Sequence, residues 1–280
     1  MSENMNKINW YPGHMAKARR QMEEQLKLVD IVIELRDARI PEASANPMLQ
    51  ELSKNKPVLI ILNKADLADE KKSLAWKDRF EHCLIVDSTS DNLSKTVVNE
   101  VKLILKDKLE RAKARGIRKK VLRAMIVGIP NVGKSTFINN IVKKKVAKAE
   151  NRPGVTKALQ WIRINEDVEL LDTPGVLWPK IDDQENARLL ALIGSINDDI
   201  LDKEDLVRFG LDYLRQIYPG LIAKRYGIDE NSQDLLEKIA FEKLWLISDD
   251  EINLPKAVDA ILKDIRGNKI GRITWQDAGE

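Results

Sequence analysis

The sequence predicts an α/β domain over residues 1–180, a mostly parallel sheet with helices on both faces, followed by an all-α domain over residues 181–280. Three observations carry this. Short apolar runs rich in Val, Ile and Leu recur between charged, helix-compatible stretches, the pattern of strands buried on both faces of a parallel sheet. One such run, VLRAMIV (Val121 to Val127), feeds a glycine-rich turn and then FINNIVKKK (Phe137 to Lys145), a strand, loop and helix in succession. Beyond about Ile181 the strand signals nearly vanish and helical periodicity takes over.

In chain order, INWYPGHMAKARRQ (Ile8 to Gln21) sets Pro12-Gly13 as a turn ahead of a helix beginning near Met15. VDIVIELRDARIP (Val29 to Pro41) has a strand core at IVIEL, and Pro41 and Pro47 mark a loop after it. PVLIILNKADL (Pro57 to Leu67) is a second strand ending on a polar tetrapeptide, and CLIVDSTS (Cys83 to Ser90) a third ending on hydroxyls. Leu93 to Arg115 places Val97, Val101, Ile104, Leu105 and Leu109 on one side of a long helix. After the loop helix, NRPGVTKA (Asn151 to Ala158) is a broken loop. LQWIRIN (Leu159 to Asn165) and VELL (Val168 to Leu171) then form two short strands turning at Glu166-Asp167. Gln184 to Ile196, Glu204 to Tyr218, Ser232 to Leu246 and Pro255 to Ile265 read as helices. The last has Pro255 in its first turn and Gly267 past its end.

Composition sets the class without naming a partner. Lys+Arg 47 against Asp+Glu 44 leaves a formal charge of +3, so the chain as a whole does not announce nucleic acid. The distribution is more informative: RAKARGIRKKVLR (Arg111 to Arg123) is basic throughout with no acid, a run that serves either as a solvated face or as a phosphate contact. Cys83, the one cysteine, excludes an intrachain disulfide and a cysteine zinc cluster, and its place in CLIV suits a small buried hydrophobe. No run is apolar enough for a membrane span and Met1 to Arg20 lacks a signal-peptide core, so a cytoplasmic protein is expected.

Chemistry enters with GIPNVGKST, Gly128 to Thr136, which fits G-x-x-x-x-G-K-[ST] in the strand–loop–helix setting that motif requires. Backbone N–H groups of Asn131, Val132, Gly133, Lys134, Ser135 and Thr136 and the helix N-terminus would cradle phosphates. Lys134 would reach the β/γ-phosphates and Ser135 ligate Mg2+. The base is chosen by Asn63-Lys64-Ala65-Asp66, N-K-x-D at a strand end. A carboxylate at Asp66 accepts from guanine N1–H and the 2-amino group, donors that adenine lacks. Asn63 serves the N7/O6 edge and braces the phosphate loop, and the Lys64 stem covers the base. Asp172 of DTPG, at another strand end, would hold the Mg2+ shell, and the Gly175 N–H would meet the γ-phosphate. Thr156 occupies the place of a switch threonine that ligates Mg2+ in the triphosphate state. Ser88, Thr89 and Ser90 follow the third strand, where a backbone N–H reaches guanine O6.

These elements come in an unusual order, base recognition at 63 and 88 before the phosphate loop at 128. A circularly permuted P-loop GTPase domain accounts for it, with Leu93 to Lys120 bridging the old termini. The second switch then leads directly into the helical domain, so nucleotide state can reposition that domain.

With WYPGHMAKA, DARIP, NKAD, GIPNVGKST, RPGVT and DTPGVLWPK in this order, the chain closely resembles the ribosome biogenesis GTPase A (RbgA/YlqF) family. The resemblance implies GTP hydrolysis stimulated by the ribosomal particle and a role in late maturation of the large (50S) subunit. It also implies rRNA-rich precursor particles as partners; a monomer with no membrane partner is expected. At Phe241 to Leu246, FEKLWL, the tail departs from the family pattern. Val176-Leu177-Trp178 after DTPG offer no polar group to orient water. Read alone, His14 is a hydrogen-bonding group in a Pro-Gly turn, whereas the resemblance makes it the water-positioning residue. A potassium ion near Asn131 is the other candidate. Two other classes fit less of the chain: a permuted GTPase acting on the small subunit, and a nucleotide-dependent RNA scaffold with negligible turnover.

Overall fold

The computed structural model describes residues 19–20, 22–53, 55–142, 160–172, 183–196, 202–248 and 251–279. The chain divides into two compact units, residues 1–182 with 276–280 and residues 183–275.

The first unit is built on one six-stranded sheet: β1 (Ile31–Asp37), β2 (Val58–Asn63), β3 (Cys83–Ile85), β4 (Leu122–Gly128), β5 (Gln160–Arg163) and β6 (Val168–Asp172). Their order is β3-β2-β1-β4-β6-β5, with every neighbouring pair parallel except β5 and β6. Far apart in the chain, β1 and β4 are central neighbours; from β1 the chain steps outward through β2 to β3, and from β4 it goes to the edge strand β5 and returns as β6 beside β4. The middle of such a sheet is where connections leave in opposite directions and a crevice opens beyond the strand C-termini. Both faces are covered, as the apolar runs predict. Val32, Met125, Val127 and Leu171 pack with Met22, Leu26, Val29 and Leu49 on one face. Ile31, Ile33, Leu35, Leu59, Ile61, Ala124 and Ile126, of opposite parity, are equally buried.

The buried strand β1 also contains charges, and each is satisfied internally. Arg36 donates to Glu34 Oε2 through Nε (3.0 Å) and Nη2 (2.7 Å), and to the Pro41 carbonyl at 3.3 Å. Glu34 Oε1 accepts the Asn46 N–H at 2.9 Å. That contact places Asn46 to cap α1 (Pro47–Leu52), its Oδ1 accepting from Met48 and Leu49. Pro47 therefore opens a helix at its first position instead of marking a loop, since that position needs no N–H. Helices α2 (Glu70–Asp78), α3 (Leu93–Ile104), α4 (Lys106–Ala114) and α5 (Lys134–Val142) also belong to the unit, and residues 22–26 are helical ahead of β1. The long helix expected over 93–115 is interrupted at Leu105, which has φ −97° and ψ 16°.

The second unit contains α6 (Gln184–Leu192), α7 (Lys203–Ile217), α8 (Leu221–Tyr226), α9 (Leu235–Glu242) and α10 (Leu254–Arg266) around Leu190, Val207, Leu214, Ile222, Leu236, Ile239 and Ile261. It is not wholly helical. The helix expected over 232–246 stops at Glu242, because Leu244 adopts φ 53° and the Trp245 N–H returns to the Ala240 carbonyl at 2.9 Å. The chain then forms a two-stranded antiparallel ribbon, β7 (Leu246–Ser248) with β8 (Glu251–Ile252). Among the described residues no helix is long and apolar enough to cross a membrane.

Candidate functional site

Register brings the predicted motifs to one edge. Asp37 pairs with Asn63, Leu35 with Gly128, and Ile126 with Asp172, so the C-terminal ends of β2, β1, β4 and β6 present them side by side.

The phosphate loop runs from Gly128 to the start of α5 at Lys134. Two of its glycines are dictated by space. A Cβ on Gly128 would come within 2.9 Å of Val132 Cγ1 and 3.0 Å of the Leu35 carbonyl. Gly133 has φ 92°, and a Cβ there would meet Asn63 Nδ2 at 2.6 Å. Asn131, at φ 59°, takes the left-handed conformation that asparagine tolerates better than most residues. Lys134 and Asp172 are both buried and face each other at 3.0 Å. Burial pushes the Lys134 ammonium below the usual lysine range, and the Asp172 carboxylate offsets part of that.

The Asn63–Asp66 loop, the candidate base reader, is tied across to this one. Asn63 Nδ2 donates to the Val132 carbonyl at 2.8 Å, and Lys64 Nζ donates to the Asn131 carbonyl at 2.6 Å. Ser88 Oγ donates to Asn63 Oδ1 at 2.6 Å, fixing which way the amide points. The Ala65 N–H bonds the Val86 carbonyl at 3.1 Å, and Asp66 is exposed at the tip. Thr89 commits its N–H and hydroxyl to the Asp87 carboxylate, both at 2.8 Å, and Ser90 its N–H to the Asp87 carbonyl. Of the three hydroxyl residues, Ser88 is the one wired to Asn63. Ser135 and Thr136 lie in the first turn of α5. His14, Thr156 and Gly175 lie outside the described residues.

Sequence reasoning missed what lies beneath. Asp37, fully buried, contacts Arg39 Nη2 at 2.8 Å and Lys64 Nζ at 3.0 Å, and its N–H donates to Ser44 Oγ at 3.0 Å. Burial alone would raise the Asp37 carboxyl, but the Arg39 and Lys64 charges outweigh it and hold it well below the usual carboxylate range. Lys64, also desolvated, is pushed down despite Asp37 beside it. Asn140 on α5 donates to the carbonyls of Ser88 (2.6 Å) and Ser90 (3.0 Å), a second cross-link between the halves. The available signal was an acid ending an apolar strand in DARIP, just as Asn63 ends β2.

The donor set fits Mg2+. Among the described residues no group of three or more His, Cys, Asp or Glu could hold a metal ion. Mg2+ does not need one, because it takes one or two hard protein oxygens and completes its octahedron with phosphate and water. The Ser135 hydroxyl and Asp172 carboxylate supply oxygens of that kind. Cys83 is no competitor, since burial pushes its thiol up to about 12.

A phosphate loop braced by N-K-x-D on a doubly wound sheet entered in permuted order defines a P-loop GTPase that binds guanine nucleotide with Mg2+. Comparison with known proteins agrees. A family model described as "50S ribosome-binding GTPase" matches residues 123–248, from the phosphate-loop strand onward, which leaves the base-reading half ahead of the match. Ribosome biogenesis GTPase A of Bacillus pumilus (strain SAFR-032) is 44% identical over 276 residues, covering 96% of this chain and 98% of that protein. The Priestia megaterium (strain DSM 319 / IMG 1521) protein of the same name is 44% identical over 281 residues, with 98% of each chain covered. The crystal structure of GNP-bound YlqF from T. maritima superposes with a TM-score of 0.67 at 25% identity, over 94% of this chain and 99% of that one. The chain belongs to the ribosome biogenesis GTPase A family.

Proposed function

We propose that this GTPase acts in the cytoplasm, as a monomer, in late maturation of the large ribosomal subunit, and that the precursor particle stimulates its hydrolysis. The observation that carries the reading is the cross-braced guanine site in a chain that matches ribosome biogenesis GTPase A proteins over nearly their full length. The family model's description, 50S ribosome-binding, supports the choice of subunit.

Each site residue has a role in it. Asp66 accepts from guanine N1–H and the 2-amino group, Asn63 and Ser88 set the N7/O6 edge, and the Lys64 stem covers the base. The N–H groups of Asn131 to Thr136 cradle the phosphates and the Gly175 N–H meets the γ-phosphate. Ser135, Thr156 and Asp172 hold Mg2+, which supplies charge neutralisation at the β/γ-phosphates. Nucleotide binding would free Lys134 from Asp172 to meet phosphate, and the Asp172 carboxylate would then be available to help hold Mg2+. His14 orients the attacking water, with a potassium ion near Asn131 as the alternative, and hydrolysis compared in K+ and Na+ separates the two. His14→Ala is expected to keep GTP affinity and lose stimulated hydrolysis.

Ribosomal RNA is contacted by the basic run and the helical unit in this reading. Arg111, Lys113, Arg115 and Arg118 are exposed. Nearby in sequence, Arg123 lies 5.0 Å over the Trp161 ring, which is 40% exposed, and Arg163 sits in the same cross-strand row. An exposed indole beside guanidinium groups suits stacking with an unpaired base. The deciding experiment is cosedimentation with 30S, 50S and precursor particles in GTP-like and GDP states, with hydrolysis measured alongside. Binding and stimulation by 50S precursors is the expected result; equal association with 30S, or none, overturns it.

A further inference from the structure

After the helical unit the chain returns to the GTPase unit, and the contacts it makes there converge on the base-reading corner. Gln276 Oε1 accepts the N–H groups of both Glu42 and Ala43 at 3.0 Å, and its carbonyl accepts Trp76 Nε1–H at 3.2 Å, 200 residues away in the chain. Asp277 pairs with Lys72 at 2.7 Å. Ala278 is buried in a cluster with Ala38, Leu62, Ala68 and Trp76. Ala38 directly follows Asp37, and Leu62 and Ala68 flank Asn63 to Asp66. The loop that Gln276 holds also carries Ser44, whose Oγ accepts the Asp37 N–H and donates to the Ile40 carbonyl at 2.7 Å. Asp37 in turn holds Arg39 and Lys64.

The residues just before this segment are anchored within the helical unit. The Thr274 N–H donates to the Tyr218 hydroxyl at 3.1 Å and its carbonyl accepts from Tyr213 at 3.2 Å and Tyr218 at 3.1 Å, while the Trp275 ring packs on Tyr213 at 5.1 Å. Trp275 belongs to one unit and Gln276 to the other, so one peptide bond joins the two anchors.

We propose that residues 276–279 are a strap that sets guanine affinity, with Gln276 as a positioning residue acting through the 38–46 loop on Asp37 and Lys64. In chain order the helical unit lies between Asp172, at the end of β6, and the strap, which belongs to the GTPase unit. Whatever partner moves the helical unit would change the grip on guanine, and by linkage guanine would change the grip on that partner. The proposal rests on Asn63 to Asp66 being the base reader.

The test compares the full-length protein with its Gln276→Ala and Gln276→Glu variants, using fluorescent GDP binding, steady-state GTP hydrolysis and amide exchange. Two N–H groups lose their acceptor in Gln276→Ala, so GDP Kd and GTP KM are expected to rise about tenfold with kcat unchanged. Faster exchange at Glu42 and Ala43 should accompany the loss. Gln276→Glu keeps an acceptor for both N–H groups and should restore affinity. Unchanged affinity in Gln276→Ala, or a loss that Gln276→Glu fails to rescue, overturns the strap. Asp66→Ala separates the two levels: if it leaves the preference for GTP over ATP intact, the base-reader assignment itself fails, whatever Gln276 does.

Discussion

At the ends of β1 and β2, Asp37 lies between two cations, Arg39 at 2.8 Å and Lys64 at 3.0 Å, in a corner further held by Asn63, Ser88 and Gln276. At the ends of β4 and β6, among the described residues, Lys134 faces the Asp172 carboxylate at 3.0 Å. Both corners are buried, yet their wiring differs in kind. The base side has redundant partners that no ligand needs to displace, which suits a reader that must hold one shape to discriminate guanine. The phosphate side shows, among the described residues, the Lys134–Asp172 pair, whose members in the proposed reading turn to phosphate and to metal on loading. In the proposed reading, selectivity is built into the first half of the sheet and the change of state into the second.

The largest expected effect comes from breaking the base side. Asp37→Asn removes the carboxylate that contacts buried Arg39 and half-buried Lys64, leaving the Asp66 charge acting on both, and removing one member of a buried ion group costs about 3 to 5 kcal/mol. Urea unfolding should show that loss, together with lost GTP binding. Lys134→Met should abolish hydrolysis with a smaller shift of the unfolding midpoint, because it takes one cation from Asp172 whereas Asp37→Asn takes the acid shared by two cations. Equal midpoint shifts in the two variants would erase the distinction between the corners.

Asp66→Ala comes next. It removes two charge-assisted hydrogen bonds to guanine, about 1.5 kcal/mol or more each, so GTP affinity should fall roughly a hundredfold by calorimetry while ATP binding stays as weak as before. Asn63→Ala is smaller and tests the brace between the halves. Leaving the Val132 carbonyl and Ser88 hydroxyl unpaired should cost about 1 to 3 kcal/mol and weaken GTP binding and GDP binding together. A change in one alone would mean that Asn63 touches nucleotide without bracing the loop.

The smallest effect is a null expected from charge. Burial raises the Asp37 carboxyl and Arg39 and Lys64 lower it further, so its folded pKa lies below the unfolded value of about 3.9. The folded state therefore binds fewer protons there. Its stabilisation is complete above about pH 4 and is lost only as pH falls through the depressed folded value. Guanine affinity should stay flat from pH 8 to pH 5, and a decline centred near pH 6 would show that a different group controls the corner.

Much of the GTPase half is legible residue by residue. Gly133 is readable because its spacing from Lys134 encodes a backbone that needs φ 92° and no Cβ. Asn63 and Asp172 are readable because each ends an apolar strand, and chain order alone argues for permutation, which the central pairing of β1 with β4 bears out. The helical half was less readable. Ser232 to Leu246 keeps an apolar rhythm through Leu244, and nothing in the residue type announces the left-handed turn that ends α9 and starts the ribbon. Pro47 reads as a loop residue in sequence, and it starts a helix because Glu34, twelve positions before Asn46, holds that cap.

By itself the amino-acid order determined the strands, the phosphate loop, the guanine tetrapeptide and their permuted succession, since each depends on backbone conformation and side-chain period within a dozen neighbouring residues. Only the tertiary structure decided that Asp37 gathers Arg39 and Lys64 under the base reader and that Gln276 comes back to hold the loop beside them. Those contacts join isolated polar groups across the sheet and across 200 residues of chain. A single buried hydrogen bond has no period, so it becomes visible only when the fold brings both partners out of water together.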